Sequence, residues 1–317
     1  MPLQDPLNAD KSQAKDEMQQ SFNSAKEIQA EEARIAEETA VQKRRRAIAI
    51  VAPIIVACIA FVIVLTTVMI PGQKLRKAIK LIDSGEYKAA YLLLDSIDYQ
   101  NSKELQESIK PQYRIALLSE AEIGSTVFFG SYEQDNDTSN GKEDIEWIVL
   151  AKEGNQALVI SKYALDCSQY DTSMSDTAWE TCFLRQWLNG TFLKAAFSPA
   201  EQNSIASSTV TADMNPSYRT SPGNDVTDKV FLLSITEVNQ YFGSDEARRC
   251  VPTEYAKAQR VFMWKTNCLW WLRSPGSLSD HAALVHGDGR VNIDGRAVFN
   301  ILGGVRPAMW IDLGADN

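Results

Sequence analysis

Residues 271–290 hold the densest mixture of aromatic, basic and acidic side chains in the sequence, placed between glycine-containing turns. Trp and Arg dominate binding hot spots, and loops over a sheet are where binding groups collect. We therefore expect any ligand to bind a surface made by six residues: Trp271, Arg273, Asp280, His281, Asp288 and Arg290. Two alternatives stay open: both indoles of the WW pair are buried, or Arg273 pairs with Asp280 or with backbone.

His281 and His286 are the only histidines, and both lie in the segment SDHAALVH. In a strand they would point to opposite faces, so they cannot chelate one metal through that strand. The sequence lacks HExxH, GxSxG and P-loop patterns, and therefore carries no signature of the common hydrolases or nucleotide-binding folds. We predict no catalytic residue and no cofactor. An enzyme of unrecognised type remains the alternative.

Four of the five cysteines fall in residues 122–317, and the fifth, Cys58, lies in an apolar run. Disulfides are allowed if this part is extracytoplasmic, and the missing CxxC spacing argues against zinc. Sequence order suggests pairing Cys167 with Cys182 and Cys250 with Cys268, although four cysteines allow three pairings. Free buried thiols are an equal alternative.

Asp135, Asp137 and Asn140 stand in the segment EQDNDTSNGKED, whose acid spacing resembles a calcium loop. Gly141 falls one place late for such a loop, and no Glu closes it at the twelfth position. A polar hairpin turn with Asn140 and Gly141 at its tip explains the segment more simply. Our prediction is therefore no metal, with these three residues as the calcium candidates.

Residues 47–70 form 24 consecutive uncharged and mostly apolar positions. At about 1.5 Å per residue a helix of this length spans a hydrocarbon core of about 30 Å. A cleaved signal peptide would have a shorter apolar region nearer the N-terminus, and a buried soluble helix would carry charge on one face. The KRRR block at 43–46 is denser than the basic residues after the span, which favours a cytoplasmic N-terminus.

The span divides the sequence into parts of different character. Residues 1–46 read as a polar, partly helical cytoplasmic tail, and residues 73–121 as a helical spacer. Residues 122–317 carry 25 acidic against 16 basic side chains, and the whole chain has a net charge of -9. This balance argues against nucleic acid as a partner. We predict a single-pass plasma-membrane protein with residues 122–317 outside the cell.

Residues 122–317 alternate strand and helix signals, which predicts an α+β domain. IEWIVL and ALVIS flank a turn and read as a hairpin, and two capping boxes begin at Ser198 and Ser234. The helix in WETCFLRQWLNG should stop at Asn189 and Gly190. Short strands are expected over 282–286, 290–293, 298–301 and 305–313.

Six segments of this part resemble an uncharacterised bacterial surface-domain family that is often attached to a membrane helix. They are VFFGSYEQDNDTSNGKEDIEWIVL, ISKYALDC, WETCFLRQWLNGTFL, DKVFLLSITEV, CLWWLRSPG and GGVRPAMWIDL. The ending also resembles C-type-lectin-like and formylglycine-generating-enzyme-like domains, which implies a lectin-like α+β fold without an activity. The segment SGEYKAA through DYQNSKEL resembles a tetratricopeptide-like unit.

Together these features predict a membrane-anchored extracytoplasmic binding module of a bacterial surface protein. The expected partners are the membrane and an extracellular glycan or protein ligand. The open alternatives are an extracytoplasmic enzyme and a structural envelope protein.

Overall fold

The computed structural model describes residues 6–314, with side chains from residue 14 onward. The chain divides into two compact units, Met1–Lys74 and Leu75–Asn317. The second unit extends across residue 122, where the sequence places a domain boundary.

The described residues of the first unit are helical. α1 spans Pro6–Val64, a π-helical turn follows at Leu65–Met69, and α2 spans Ile70–Asp83. Within the described residues, one helix, Ala14–Asp83, is long and apolar enough to cross a membrane. Thr66 and Thr67 turn their hydroxyls back onto main-chain carbonyls of the preceding turn, which hides these polar groups within the apolar stretch. This helix fits a single-pass membrane protein.

The second unit begins with a helical segment, as the sequence predicts. α2 leads into α3 (Tyr87–Asp95), α4 (Ser102–Ser108) and α5 (Lys110–Glu120). A left-handed Gly85, with φ of 78°, makes the turn between α2 and α3. The helices share a small apolar core that includes Leu75, Leu94 and Ile109.

Strands of two main sheets and several short helices follow, which confirms the predicted α+β class. β1 (Thr126–Tyr132), β2 (Glu143–Glu153), β3 (Gln156–Ser161) and β13 (Ala308–Asp312) form an antiparallel sheet in the order β1-β2-β3-β13. The second sheet has the order β11-β10-β9-β12-β4. Its strands are β4 (Asp166–Cys167), β9 (Trp270–Pro275), β10 (His281–Val285), β11 (Val291–Ala297) and β12 (Gly304–Val305).

Smaller elements cover the sheets. The helices are α6 (Phe183–Trp187), α7 (Leu193–Ala196), α8 (Pro199–Ser204), α9 (Ile235–Tyr241), α10 (Asp245–Arg248) and α11 (Glu254–Ala258). The pairs β5 (Ser208–Val210) with β6 (Val226–Asp228), and β7 (Met263–Trp264) with β8 (Asn267–Cys268), form two-stranded sheets. Both predicted capping boxes are present, at Ser198 and Ser234.

The helix that begins at Phe183 does not stop at Asn189 and Gly190, where the sequence predicts its end. It continues through a π-helical turn, Leu188–Phe192, into α7. The Asn189 side chain donates to the Val230 carbonyl at 2.8 Å and accepts the Lys229 N–H at 2.9 Å. The amide therefore fixes a neighbouring chain segment, so it does not cap the helix.

Residues 298–301 form a turn where the sequence predicts a strand. The Val298 N–H donates to the Asp280 carbonyl at 2.8 Å, and the Val298 carbonyl accepts the Tyr170 N–H at 2.9 Å. These bonds lead the backbone away from the sheet, so the apolar residues here do not continue the β-meander.

A buried ion pair joins the helical segment to the α+β part. Arg114 of α5 lies 3.0 Å from a Glu201 carboxylate oxygen, and both side chains are more than nine-tenths buried. Glu201 also accepts the Gly130 N–H, and the second Arg114 nitrogen pairs with Asp144 at 2.5 Å. Leu118 of the same helix belongs to the main apolar core. The helical segment is therefore packed into the same unit as the sheets.

Candidate functional site

A groove of about 740 Å³ lies where the helical segment meets the edge of the first sheet. This volume is within the range of small-ligand sites, about 300–1,000 Å³. Its lining is drawn from the α2–α3 turn, α5, the β2–β3 turn, α8 and the end of β13, and most of it is polar. The lining residues used below are Tyr87, Gln112, Ser119, Lys152, Asn155, Asn203 and Asp312.

Hydrogen bonds between distant segments fix the walls of the groove. The Lys152 ammonium donates to the Ser119 carbonyl at 2.7 Å, which ties the end of β2 to α5. The Leu313 N–H donates to the Asn155 carbonyl at 2.9 Å, and the Gln156 amide donates to Asp312 at 2.6 Å. These bonds hold the walls of the groove in place.

Gln112 supplies an acceptor that is unused within the described residues. Its side-chain oxygen is out of contact with solvent and accepts no hydrogen bond from them. Leaving a buried acceptor unpaired costs about 1–3 kcal/mol. Because this oxygen is closed to solvent, a ligand N–H or O–H recovers the cost only when the Gln112 side chain turns into the groove. The half-buried Tyr87 ring lines the same groove and offers an aromatic face beside the polar groups.

The structure separates the six residues predicted from sequence to form one surface. Trp271 is fully buried, and its indole N–H donates to the Ser168 carbonyl at 2.9 Å. Arg273 is 3% exposed and pairs with Glu237 through both terminal nitrogens. These two side chains lie in the core and do not form an exposed platform. Of the alternatives, the buried indoles are found. Arg273 pairs with Glu237 and with the backbone carbonyls of Thr211 and Leu232, and not with Asp280.

The other four predicted residues lie at opposite ends of β10. His281 contacts Asp280 at 2.7 Å at one end. At the other end Asp288 contacts Arg290 at 2.6 Å and His286 at 3.2 Å. A strand rises about 3.4 Å per residue, so the two pairs are roughly 15 Å apart. Hydrogen bonds from Arg290 lower the pKa of Asp288 to about 2 and so favour its ionised form.

The loop between β1 and β2 is a polar hairpin connection, but the pairing of Tyr132 with Glu143 centres it near Asp137 and not at Asn140 and Gly141. Asp135 accepts the Asn140 amide at 2.7 Å and the Asp137 N–H at 2.8 Å, and Asp137 accepts the Ser139 hydroxyl. The bond from Asn140 and then that from Asp137 lower the pKa of Asp135. Asp135 is thus hydrogen-bonded to both of the other calcium candidates, Asp137 and Asn140, and these bonds stabilise the turn.

A different acidic group lies at the base of this turn. Carboxylate oxygens of Glu133, Asp135 and Glu143 lie within 4.8 Å of one another. Burial and then the charge of Glu143 raise the pKa of Glu133. Acidic groups often cluster this closely without an ion, so the trio alone indicates no function.

Sequence patterns do not reveal the groove. They predict the α5 helix, the β2–β3 hairpin and the capping box of α8, each of which contributes lining residues. None of these patterns predicts that the three elements lie next to one another in the fold. Gln112 lies on a predicted helix with nothing to distinguish it from a solvated glutamine.

The fold and the groove define an α+β domain in a chain with an apolar helix long enough to cross a membrane. Residues 154–313 match a family described as a domain of unknown function, DUF6273, over half of the chain, and the chain belongs to that family. The expectation of an uncharacterised domain family is thus confirmed. The match begins in the β2–β3 turn, so β1, β2 and the helices that form one wall of the groove precede it. No curated protein and no solved structure matches the chain.

Proposed function

We propose that the chain is a membrane-anchored binding module whose DUF6273 domain holds a glycan or protein ligand outside a bacterial plasma membrane. The observation that carries this proposal is the polar groove, lined by Gln112 and Tyr87, whose walls are held by hydrogen bonds between distant segments. Amide, hydroxyl and carboxylate groups beside an aromatic ring suit a hydroxyl-rich ligand.

Charge next to the apolar helix supports the orientation. Arg44, Arg45 and Arg46 directly precede the uncharged run at 47–70, and basic residues near the cytoplasmic end favour retention of that end inside. The net charge of residues 122–317 is negative, which makes anchorage of this part to an anionic lipid surface unfavourable. The domain would thus stand free of the membrane with its groove open to the envelope.

The orientation predicts which introduced thiols a membrane-impermeant maleimide can reach. Ser217→Cys, in an exposed loop of the domain, should label in intact cells as fully as in lysed cells. Ser24→Cys, on the exposed tail helix, should label only after lysis. The unsubstituted chain measures labelling of the native cysteines. The reverse pattern would show that the domain is cytoplasmic.

The groove predicts which variants weaken glycan binding. Gln112→Leu and Tyr87→Ala should each raise the Kd for soluble peptidoglycan fragments or chitohexaose by about fivefold, near 1 kcal/mol, because a buried acceptor or an aromatic face is lost. Isothermal titration of the detergent-solubilised chain measures this change.

The matched control is Gln186→Leu, which makes the same chemical change at an exposed position outside the groove. It should bind as the unsubstituted chain does. Circular dichroism checks that each variant is folded. Equal affinity of folded Gln112→Leu, Tyr87→Ala and control variants would remove the groove as the binding site.

A further inference from the structure

Two cysteines that are 18 positions apart meet in the core of the α+β part. The Cys268 N–H donates to the Cys250 carbonyl at 2.8 Å, and the Cys268 sulfur lies 3.5 Å from the same oxygen. A backbone hydrogen bond keeps the Cα atoms of its two residues near one another, and a disulfide needs Cα atoms about 4.4–6.8 Å apart. The pair can therefore be joined without moving the backbone far.

A buried arginine lies beside this pair. Arg306 is 1% exposed, and its guanidinium donates to the Ser161 carbonyl at 2.9 Å and stacks 4.9 Å from the Trp270 ring centre. Burial opposes ionisation of Cys250, but the bond from Cys268 and the charge of Arg306 outweigh it and lower the pKa of Cys250 to about 7. Because the thiolate is the nucleophile in disulfide exchange, Cys250 is the activated member of the pair.

The other two cysteines of this part are not activated. Cys167 bonds to the Ile301 carbonyl at 3.1 Å, and burial followed by the charge of Asp166 raises the pKa of Cys167 to about 12. Cys182 accepts the Arg185 N–H at the start of α6, and burial raises the pKa of Cys182 to about 12. All are free thiols in this structure, and they occupy different surroundings.

We propose that Cys250 and Cys268 form the disulfide of this domain when it meets an oxidant of the disulfide class, such as an oxidised dithiol protein. The Cys250 thiolate attacks the oxidant, forming a mixed disulfide and releasing one oxidant thiolate. The Cys268 thiol loses its proton and attacks the Cys250 sulfur, which releases the second thiolate. Two electrons and two protons pass from the pair to the oxidant. Both sulfurs are buried, so the exchange requires local opening of the folded domain.

In the cell this inference rests on the proposed extracytoplasmic location, because disulfides persist in oxidising compartments. Its chemistry is tested on the purified full-length chain. The chain in detergent is partly unfolded in urea, refolded in mixed reduced and oxidised glutathione, quenched in acid, alkylated under denaturing conditions and digested with trypsin. The expected product joins residues 250–257 to residues 266–273, and the peptide 163–185 carries two alkyl groups on Cys167 and Cys182.

The inference is overturned if Cys250 and Cys268 are both alkylated, or if peptide 163–185 instead loses two hydrogens. The Cys182→Ala variant should keep the linked product, and Cys268→Ala should lose it. A parallel sample is trapped by alkylation in living cells. A pair that links in vitro but stays reduced in cells would contradict the proposed location while supporting the chemistry, so the two failures are distinguishable.

Discussion

Arg114→Met is expected to lower the free energy of unfolding by about 3–5 kcal/mol, because it leaves the buried Glu201 carboxylate without its cation. Glu201 is 6% exposed and cannot be solvated in place. Without Arg114 the Glu201 carboxylate would keep hydrogen bonds, among them those from the Gly130 N–H and the Ser198 hydroxyl, but no positive charge beside it in the core. Chemical denaturation of the full-length chain, followed by tryptophan fluorescence, measures the change.

Lys88→Met is the matched control. Lys88 also belongs to the helical segment and pairs with Glu120, but both side chains are about half exposed. Such pairs contribute about 0–1 kcal/mol, so this variant should be nearly neutral. The double variant Arg114→Met with Glu201→Gln should recover part of the loss, since no buried charge remains unpaired. Equal effects of Arg114→Met and Lys88→Met would contradict the role of the buried pair.

This result would also define the stable unit. Arg114 and Leu118 lie before residue 122, yet one pairs with Glu201 and the other packs in the main core. A chain beginning at residue 122 would leave Glu201 buried without Arg114. The helical segment is thus a structural part of the domain and supplies one wall of the groove.

Trp271→Ala is expected to lower the free energy of unfolding by about 3–5 kcal/mol, as truncation of a fully buried aromatic side chain does. The indole packs edge-on against Tyr170, with ring centres 5.8 Å apart, and its N–H satisfies the Ser168 carbonyl. Gly303 lies so close that a Cβ there would be 1.8 Å from the indole nitrogen. The site is therefore shaped around this side chain, and thermal unfolding measures its loss.

Trp264→Ala provides the comparison, because Trp264 is 44% exposed and packs on one side against His286. Its loss should cost well under half as much. Trp271→Phe keeps most of the volume but leaves the Ser168 carbonyl without its donor, so it should fall between the two. Equal losses of unfolding free energy in Trp264→Ala and Trp271→Ala would show that burial of the side chain does not determine the loss.

Local patterns in the sequence determined the elements whose causes are themselves local. The uncharged run at 47–70 predicts an apolar helix, and Ser198 and Ser234 predict helix starts because each serine bonds the backbone three residues on. The hairpin of β2 and β3 follows from its turn and its alternating residues. Each of these features depends only on a few neighbouring residues and on whether their side chains favour water or an apolar environment.

Tertiary structure alone decided which polar and aromatic groups are accessible. β9 is the middle strand of its sheet and is buried on both faces, so alternation along WWLRSP does not expose one indole. From the sequence, Asn189 predicts the end of a helix. In the fold its side-chain amide instead forms hydrogen bonds with the backbone of residues 229 and 230. The Arg114–Glu201 pair and the groove join segments far apart in the chain. Local pattern cannot show them, because long-range packing brings their residues together.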